Sequence, residues 1–303
     1  MDTISLIEAL VDRPLLCDGA MGTQLQARGL KPGQCGEEWN VTAAARVEDV
    51  HRRYVAAGCD LITTNTFGGT DVALARHGLA ARGREFNEAG ARVARLAAGP
   101  GRWVLGDVGP LGELLEPWGT ISSATAGRAF RDQAAALLAG GADVILVETM
   151  SDPQEAAIAA RGAREAGARL VIATFAFQAA GDGFRTMMGA TARECVRAAM
   201  QGGASIVGAN CGTNLSLADY VRLGRELVEA AEGHPVIVQP NAGAPRLVNG
   251  AAVYDESAVE LASCVPKFLA AGVRVIGGCC GTTPEHLAAM AEAMRRHAAG
   301  DRG

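Results

Sequence analysis

Leu138-Ala-Gly-Gly-Ala-Asp-Val-Ile-Leu-Val-Glu148 reads as the end of a helix, a glycine stop and an apolar run. The same order recurs at Tyr54-Val-Ala-Ala-Gly-Cys-Asp-Leu-Ile-Thr-Thr64 and Arg164-Glu-Ala-Gly-Ala-Arg-Leu-Val-Ile-Ala-Thr174. It returns at Met200-Gln-Gly-Gly-Ala-Ser-Ile-Val-Gly-Ala-Asn210 and Leu269-Ala-Ala-Gly-Val-Arg-Val-Ile-Gly-Gly-Cys279. Glycine in the left-handed conformation ends a helix. A near-continuous apolar run directly after it is a strand buried on both faces, as in a parallel sheet. Three further runs, Pro14–Asp18, Trp103–Asp107 and Pro235–Gln239, read the same way. Eight strands are therefore predicted near 14–18, 60–65, 103–107, 143–148, 170–175, 205–210, 235–239 and 273–278. Helices such as Ala43–Ala57, Ala124–Ala139, Ser216–Ala231 and Val259–Ala271 lie between them.

Eight βα units in 303 residues are the arithmetic of a (β/α)8 TIM barrel, here a single domain over 1–303. A doubly wound open sheet would usually carry a Gly-rich phosphate turn after its first strand, and Asp18-Gly-Ala-Met-Gly is a poor match. Leu6 and Leu10, four residues apart, predict a short amphipathic helix within 1–13, before the first strand.

Composition removes several classes. The chain is 49% hydrophobic and 20% charged, with no long polar tract, which excludes disorder as its main state. Net charge is −5, from 28 Lys+Arg and 33 Asp+Glu well mixed along the chain, which argues against nucleic-acid or anionic-membrane partners. No stretch of 18 apolar residues occurs, so no membrane span is expected. Asp2, Glu8 and Asp12 do not suit a secretory leader, and a reducing, cytoplasmic setting follows as the expectation. There, the eight cysteines are better suited to metal binding or catalysis than to a disulfide framework.

In a barrel, chemistry collects at the carboxyl ends of the strands. Those ends read Asp18-Gly19, Thr64-Asn65-Thr66-Phe67, Asp107, Glu148-Thr149, Thr174-Phe175, Asn210-Cys211, Pro240-Asn241 and Cys279-Cys280. No Lys is among them, which argues against a Schiff-base aldolase. Cys211, Cys279 and Cys280 suit a soft metal, zinc first, with one coordination position left open for catalysis. Adjacent cysteines on a regular strand face opposite sides, so Gly277, Gly278 and Gly281 are expected to let the backbone turn both sulfurs to one ion. Buried small side chains or a vicinal disulfide are the alternatives. His286 is either a fourth ligand or a residue of the first turn of the last helix, after Thr283-Pro284. Cys17, Cys59, Cys195 and Cys264 read as core, and Cys35 sits in a Gly-rich loop open to exposure.

Together these segments resemble the homocysteine S-methyltransferase family, which includes the homocysteine-binding module of cobalamin-dependent methionine synthase and betaine–homocysteine methyltransferase. The resemblance rests on Leu16-Cys-Asp-Gly-Ala-Met-Gly-Thr-Gln-Leu25, Thr63-Thr-Asn-Thr-Phe-Gly68, Val108-Gly-Pro-Leu-Gly-Glu113 and Val147-Glu-Thr-Met150. It continues through Gly208-Ala-Asn-Cys211, Gln239-Pro-Asn-Ala-Gly243 and Ile276-Gly-Gly-Cys-Cys-Gly-Thr-Thr-Pro-Glu-His286. It implies a zinc-bearing barrel with Cys211, Cys279 and Cys280 as ligands and the homocysteine sulfur in the open position. By the same resemblance Asp18 and Glu148 hold the substrate's ammonium group, and backbone amides around Gly19-Ala20 and Thr64-Asn65-Thr66 take its carboxylate. Asn210 orients the site or donates to a zinc-bound sulfur. Thr66 and Asp107 are further rim residues, and Asn241 shapes a loop. A non-catalytic zinc-binding barrel and a phosphate-binding barrel enzyme using Gly277-Gly278 are the readings from other classes.

The chain as given holds no folate or cobalamin module, so the methyl group is expected from a small donor or a separate corrinoid protein. Glycine betaine and S-methylmethionine are cations of the kind aromatic faces hold. Trp39, Phe67 and Trp118 are the rings available. Trp39 lies where betaine enzymes carry a Trp, but Gly68 stands where the animal enzymes place a Tyr. Thr66-Phe-Gly-Gly-Thr70, Arg185-Thr-Met-Met-Gly-Ala-Thr191 and Asn210-Cys-Gly-Thr213 look most like bacterial members, commonly assigned to betaine. Betaine is the expected donor, ahead of a corrinoid protein and S-methylmethionine. Members of the family often self-associate, so a homo-oligomer is compatible with the resemblance.

Overall fold

The computed structural model describes residues 4–181, 183–248 and 251–300. Strands β1 (Leu15–Leu16), β2 (Leu61–Thr63), β3 (Trp103–Val108), β4 (Val144–Met150) and β5 (Val171–Phe175) open the chain. A hairpin of β6 (Phe177–Ala180) and β7 (Gly183–Thr186) precedes β8 (Ile206–Asn210) and β9 (Val236–Gln239). A second hairpin, β10 (Arg246–Val248) and β11 (Ala251–Val253), precedes β12 (Val275–Ile276). Eight of these pair in parallel in the order β1-β12-β9-β8-β5-β4-β3-β2. Bonds from Asp60 N to Leu16 O (2.7 Å) and Asp18 N to Leu61 O (3.1 Å) join the two ends of that order. The eight-stranded barrel expected from the repeat is the fold.

The glycine stops explain the regularity. Gly58, Gly141, Gly167, Gly203 and Gly272, one per repeat, have φ between +92 and +105°. A side chain with a Cβ rarely adopts that conformation. Helix starts are equally local: Thr191, Ser216 and Ser257 each form a capping box with the acid three residues on. The helices expected over 43–57, 124–139, 216–231 and 259–271 occupy Ala44–Ala57, Ser123–Ala139, Leu217–Ala230 and Ala258–Ala270.

β1, β2 and β12 are shorter than expected, because their ends leave the ladder and turn toward the rim. The two hairpins were not foreseen. Their strands are three or four residues long, below the length at which alternation can be read.

Alternation along the strands sets the interior. Leu15, Leu61, Leu105, Val144, Leu146, Ile172, Ile206, Ile237 and Val275 form one buried cluster inside the barrel. Leu6 and Leu10 join it from the helix Ile4–Asp12, so the expected N-terminal helix closes the floor. Residues 1–3 of the expected 1–13 segment lie outside the described residues. A second, larger cluster fills the layer between strands and helices and holds Cys59, Cys195 and Cys264; Cys17 belongs to the inner one. All four are core residues, as expected. No helix among the described residues is long and apolar enough to cross a membrane.

Candidate metal centre and substrate pocket

Successive side chains of a strand face opposite sides, so positions two apart share a face. Two residues beyond the interior Leu105, Leu146, Ile172 and Ile237 stand Asp107, Glu148, Thr174 and Gln239. Asn210 takes the same place beyond Gly208. The apolar interior thus ends in a polar layer at the carboxyl rim. A register shift between Val147 and Met150, with Thr149 at φ +59°, is a bulge that re-aims Glu148 and Thr149.

Three thiols meet above this layer. The Sγ atoms of Cys211, Cys279 and Cys280 lie within 4.8 Å of one another, and those of Cys211 and Cys280 are 3.4 Å apart. Thiolates at about 2.3 Å from a tetrahedral zinc stand roughly 3.8 Å from each other, so this spacing fits one ion. Cys211 leaves β8 with φ +48°, and the next amide, Gly212 N, donates to the Tyr220 hydroxyl (2.7 Å). Cys279 N donates to Pro240 O (2.8 Å) and Gly278 N to Asp18 O (2.9 Å), which fixes the turn carrying Cys279 and Cys280. A Cβ on Gly277 would stand 2.8 Å from the Cys17 Cβ, so this turn packs too closely for a side chain. Hydrogen bonds from Cys211 and Cys279 hold the Cys280 thiol below its ordinary pKa. The Asn210 amide donates to Cys279 Sγ (3.6 Å) and to Thr149 Oγ1 (2.6 Å). Its Oδ1 accepts from Thr174 Oγ1 (2.9 Å).

Carboxylates gather beside the thiols. Burial pushes Asp18 up to about 7. Burial, then the negative Cys280 and Asp18, push Glu148 up to about 8. Asp107 is raised well above the usual range by burial, then by Glu148, Glu37 and Asp18. The oxygens of Asp18 accept from Thr63 N (2.8 Å) and Thr63 Oγ1 (2.7 Å). Asp107 Oδ1, in contrast, is buried with no partner.

A family model for homocysteine S-methyltransferase matches residues 15–294. The chain belongs to the homocysteine S-methyltransferase family. It is 35% identical to a methionine synthase of Mycobacterium leprae over 309 residues, 96% of this chain and 25% of that protein. A methionine synthase of Mycobacterium tuberculosis is 36% identical over 307 residues, again 25% of its length. The chain therefore spans about a quarter of these relatives. The metallated form of the homocysteine methyltransferase MmuM from Escherichia coli superposes with a TM-score of 0.76 at 26% identity, covering 94% of this chain and 98% of that one. The oxidized form of MmuM gives the same score at 28% identity.

The family residues fall into two groups. Cys211, Cys279, Cys280, Glu148, Asp18 and Asn210 share the rim. A Cβ on Gly19 would stand 2.5 Å from Thr282 Oγ1, so the first turn needs glycine there. The Ala20 amide already donates to Thr282 Oγ1 (3.1 Å), and the Thr66 amide to Thr64 O (3.0 Å). Thr66 Oγ1 donates to Asp107 O (2.8 Å), so its hydroxyl holds the rim in shape. Asn241 Nδ2 donates to Gly212 O (3.1 Å), the loop-shaping role expected of it.

The rings expected for a donor are spread apart by role. Trp39 packs on the core with the Arg46 guanidinium 5.1 Å from its ring centroid, so one face already holds a cation. Phe67 is 41% and Trp118 79% exposed. Gly68 N donates to Glu37 Oε1 (2.7 Å), and a Cβ on Gly68 would come within 2.9 Å of that oxygen. Glu37, not an aromatic ring, fills that space. His286 sits in the first turn of the helix Pro284–Gly300; its Nδ1 accepts from Thr283 N (3.2 Å) and its Nε2–H donates to Glu256 O (2.9 Å). Both ring nitrogens are used away from the thiols. Cys35 is buried, not exposed: it packs with Leu74 and Phe86 and donates to Glu37 Oε2 (3.2 Å).

The tyrosines are not among the site residues expected from the sequence. The chain has three, and each serves the rim. The Tyr54 hydroxyl donates to Ala20 O (2.7 Å), Tyr220 receives Gly212 N, and the Tyr254 ring packs on Gly281, next to Cys280. Scarcity was the only signal available: in a chain with 4% aromatic residues, each Tyr has weight.

Proposed function

We propose that this chain binds homocysteine with its sulfur toward a zinc ion held by Cys211, Cys279 and Cys280, and transfers a methyl group to it to give methionine. The observation that carries the reading is the three-thiol cluster at zinc spacing, with the buried Asp107 Oδ1 left without a partner on the same rim. Zinc, when bound, would keep the substrate thiol, with an ordinary pKa near 8.5, as a thiolate at neutral pH. The chain's own residues supply the rest. Asp18, Glu148 and Asp107 lose protons around the incoming ammonium, and the orphaned Asp107 Oδ1 accepts its N–H. That grip orients the sulfur for in-line displacement. The sulfur–methyl bond forms as the donor–methyl bond breaks, and the electron pair leaves with the donor.

Glycine betaine is the small donor we favour from the sequence. One observation favours a second reading, a methyl group carried by a separate corrinoid protein. Phe67, Leu114, Trp118, Met187 and Met188 are exposed on connections that leave the barrel's carboxyl face. Such a rim suits a large partner as well as a small cation. Zinc-loaded protein with homocysteine, offered betaine, S-methylmethionine or methylcobalamin separately, decides by the methionine formed. X-ray absorption at zinc is expected to gain one sulfur neighbour when homocysteine is added. Cys279→Ala is expected to lose both zinc and transfer, and retained methionine formation in that variant would refute the mechanism.

A further inference from the structure

Two amides outside the barrel grip its rim from behind. Gln133 stands on the helix Ser123–Ala139, among the buried residues Ala129, Phe130, Ala134 and Leu137. Its side chain is 3% exposed and reaches the carboxyl ends of β2 and β3. There Nε2 donates to Thr66 O (2.8 Å) and Asp107 O (3.2 Å), and to Asn87 Oδ1 on the helix Gly83–Ala98 (3.2 Å). Asn87 is fixed in turn, because its Nδ2 donates to Gly69 O and Gly83 O (both 2.7 Å). A Cβ on Gly69 would stand 2.2 Å from Asn87 Oδ1 and 2.7 Å from Gln133 Nε2, so the pair fits only against bare backbone. Three acceptors surround Nε2, which fixes the way the amide points. Gln133 Oε1 is then left buried with no partner. Such an oxygen destabilises the fold, and an apolar side chain would avoid that loss. Both amides also line a cleft of about 400 Å³ between the two helices, so space-filling does not explain Gln133.

We propose that Gln133 is a positioning residue for homocysteine: from outside the barrel it holds the Asp107 backbone so that the carboxyl meets the substrate's ammonium group. The inference rests on the ammonium-binding role given to Asp107 above. The clamp has two sides. Asp107 N donates to Thr64 Oγ1 (2.9 Å), while Thr66 Oγ1 (2.8 Å) and Gln133 Nε2 donate to Asp107 O. The Thr64 hydroxyl closes the circuit on Thr66 Oγ1 (2.6 Å). Both backbone polar groups of Asp107 are therefore taken up by the fold, while Oδ1 stays unpartnered. With a freer backbone, a buried carboxyl would turn toward the nearest donor. Held in place, it meets an ammonium group without rearrangement, and that preorganisation adds affinity. Through Thr66 O the same amide ties the end of β2 to the end of β3, so the two turns are held as one piece.

The test is titration calorimetry on the zinc-loaded protein with two thiols. Homocysteine carries the ammonium group, and 4-mercaptobutanoate is the same molecule without it. Gln133→Met keeps the length of the side chain and loses its N–H donors. Homocysteine is expected to bind about fivefold more weakly to the variant, the worth of one modest hydrogen bond. 4-Mercaptobutanoate should bind wild type and variant equally, which a general loosening of the rim or of the metal site would not allow. In an Asp107→Asn background the same substitution should weaken homocysteine by about twofold or less, because its route to the substrate is gone. Should Gln133→Met fail to fold, Gln133→Ala, which only deepens the cleft, is read in the same way. Equal homocysteine affinities in wild type and variant, or an equal loss for both thiols, overturn the inference alone. If Asp107→Asn itself leaves homocysteine affinity unchanged, the role of Asp107 at the ammonium group falls, and this inference with it.

Discussion

The floor and the rim of this barrel are built from the same strands and the same inward face, about two residues apart. At the floor, Leu105, Leu146, Ile172 and Ile237 pack under the plug of Leu6 and Leu10. At the rim, the same strands present Asp107, Glu148, Thr174 and Gln239. The floor cluster leaves one buried polar atom unpartnered, Trp103 Nε1. The rim leaves Asp107 Oδ1, Gln239 Oε1 and Asn241 Oδ1. A buried polar atom without a partner costs about 1–3 kcal/mol. The lower layers stabilise the fold, and the upper layer keeps polar atoms that the fold itself leaves unsatisfied.

The largest way to probe this contrast is at the floor. Leu6→Ala removes a fully buried side chain and is expected to cost about 2–5 kcal/mol in urea unfolding. Zinc stoichiometry in that variant should match wild type; a loss of metal would mean that floor and rim are coupled. The rim answers in the opposite sense. Asp107→Asn removes the unpartnered carboxyl, and KM for homocysteine should rise about tenfold or more, the worth of a hydrogen bond to a charged group. Its melting temperature should not fall.

The smallest effect is a pH dependence. Asp18 and Glu148 have folded pKa values of about 7 and 8, above their ordinary ones. Groups raised in this way stabilise the ligand-free fold at low pH, and that contribution is lost as pH rises through 7–8. An ammonium ion that pairs with them restores it. Methionine, which has the ammonium but no thiol, should therefore raise the melting temperature by a few degrees more at pH 8.5 than at pH 6. An equal shift at both pH values would remove these acids from the ammonium site.

What could be read in the sequence was local. The glycine stops act within one turn of helix and one strand, so the local pattern is enough to place Gly58, Gly141, Gly167, Gly203 and Gly272. Asp107, Glu148 and Asn210 were legible because alternation puts them on the inward face. The thiol cluster followed from strand ends meeting in a barrel. The remainder depends on contacts made only after folding. Cys35 read as a loop thiol because Leu74 and Phe86, which bury it, lie far along the chain. His286 was ambiguous until Glu256 took its Nε2–H. Trp39 read as an onium face because nothing in the sequence shows Arg46 stacked on it.

The pairing of β1 with β12 also has a consequence for the order of events on the ribosome. Leu15 has no partner until Val275 is made. The Arg274 guanidinium, which donates to Leu10 O across 264 positions, pins the floor plug just as late (2.9 Å). Cys279 and Cys280 follow within a few residues. A nascent chain lacking the last unit has an open barrel and a single cysteine of the three. Barrel closure and competence for metal thus arrive together, with the last βα unit, and contacts so distant in sequence form slowly.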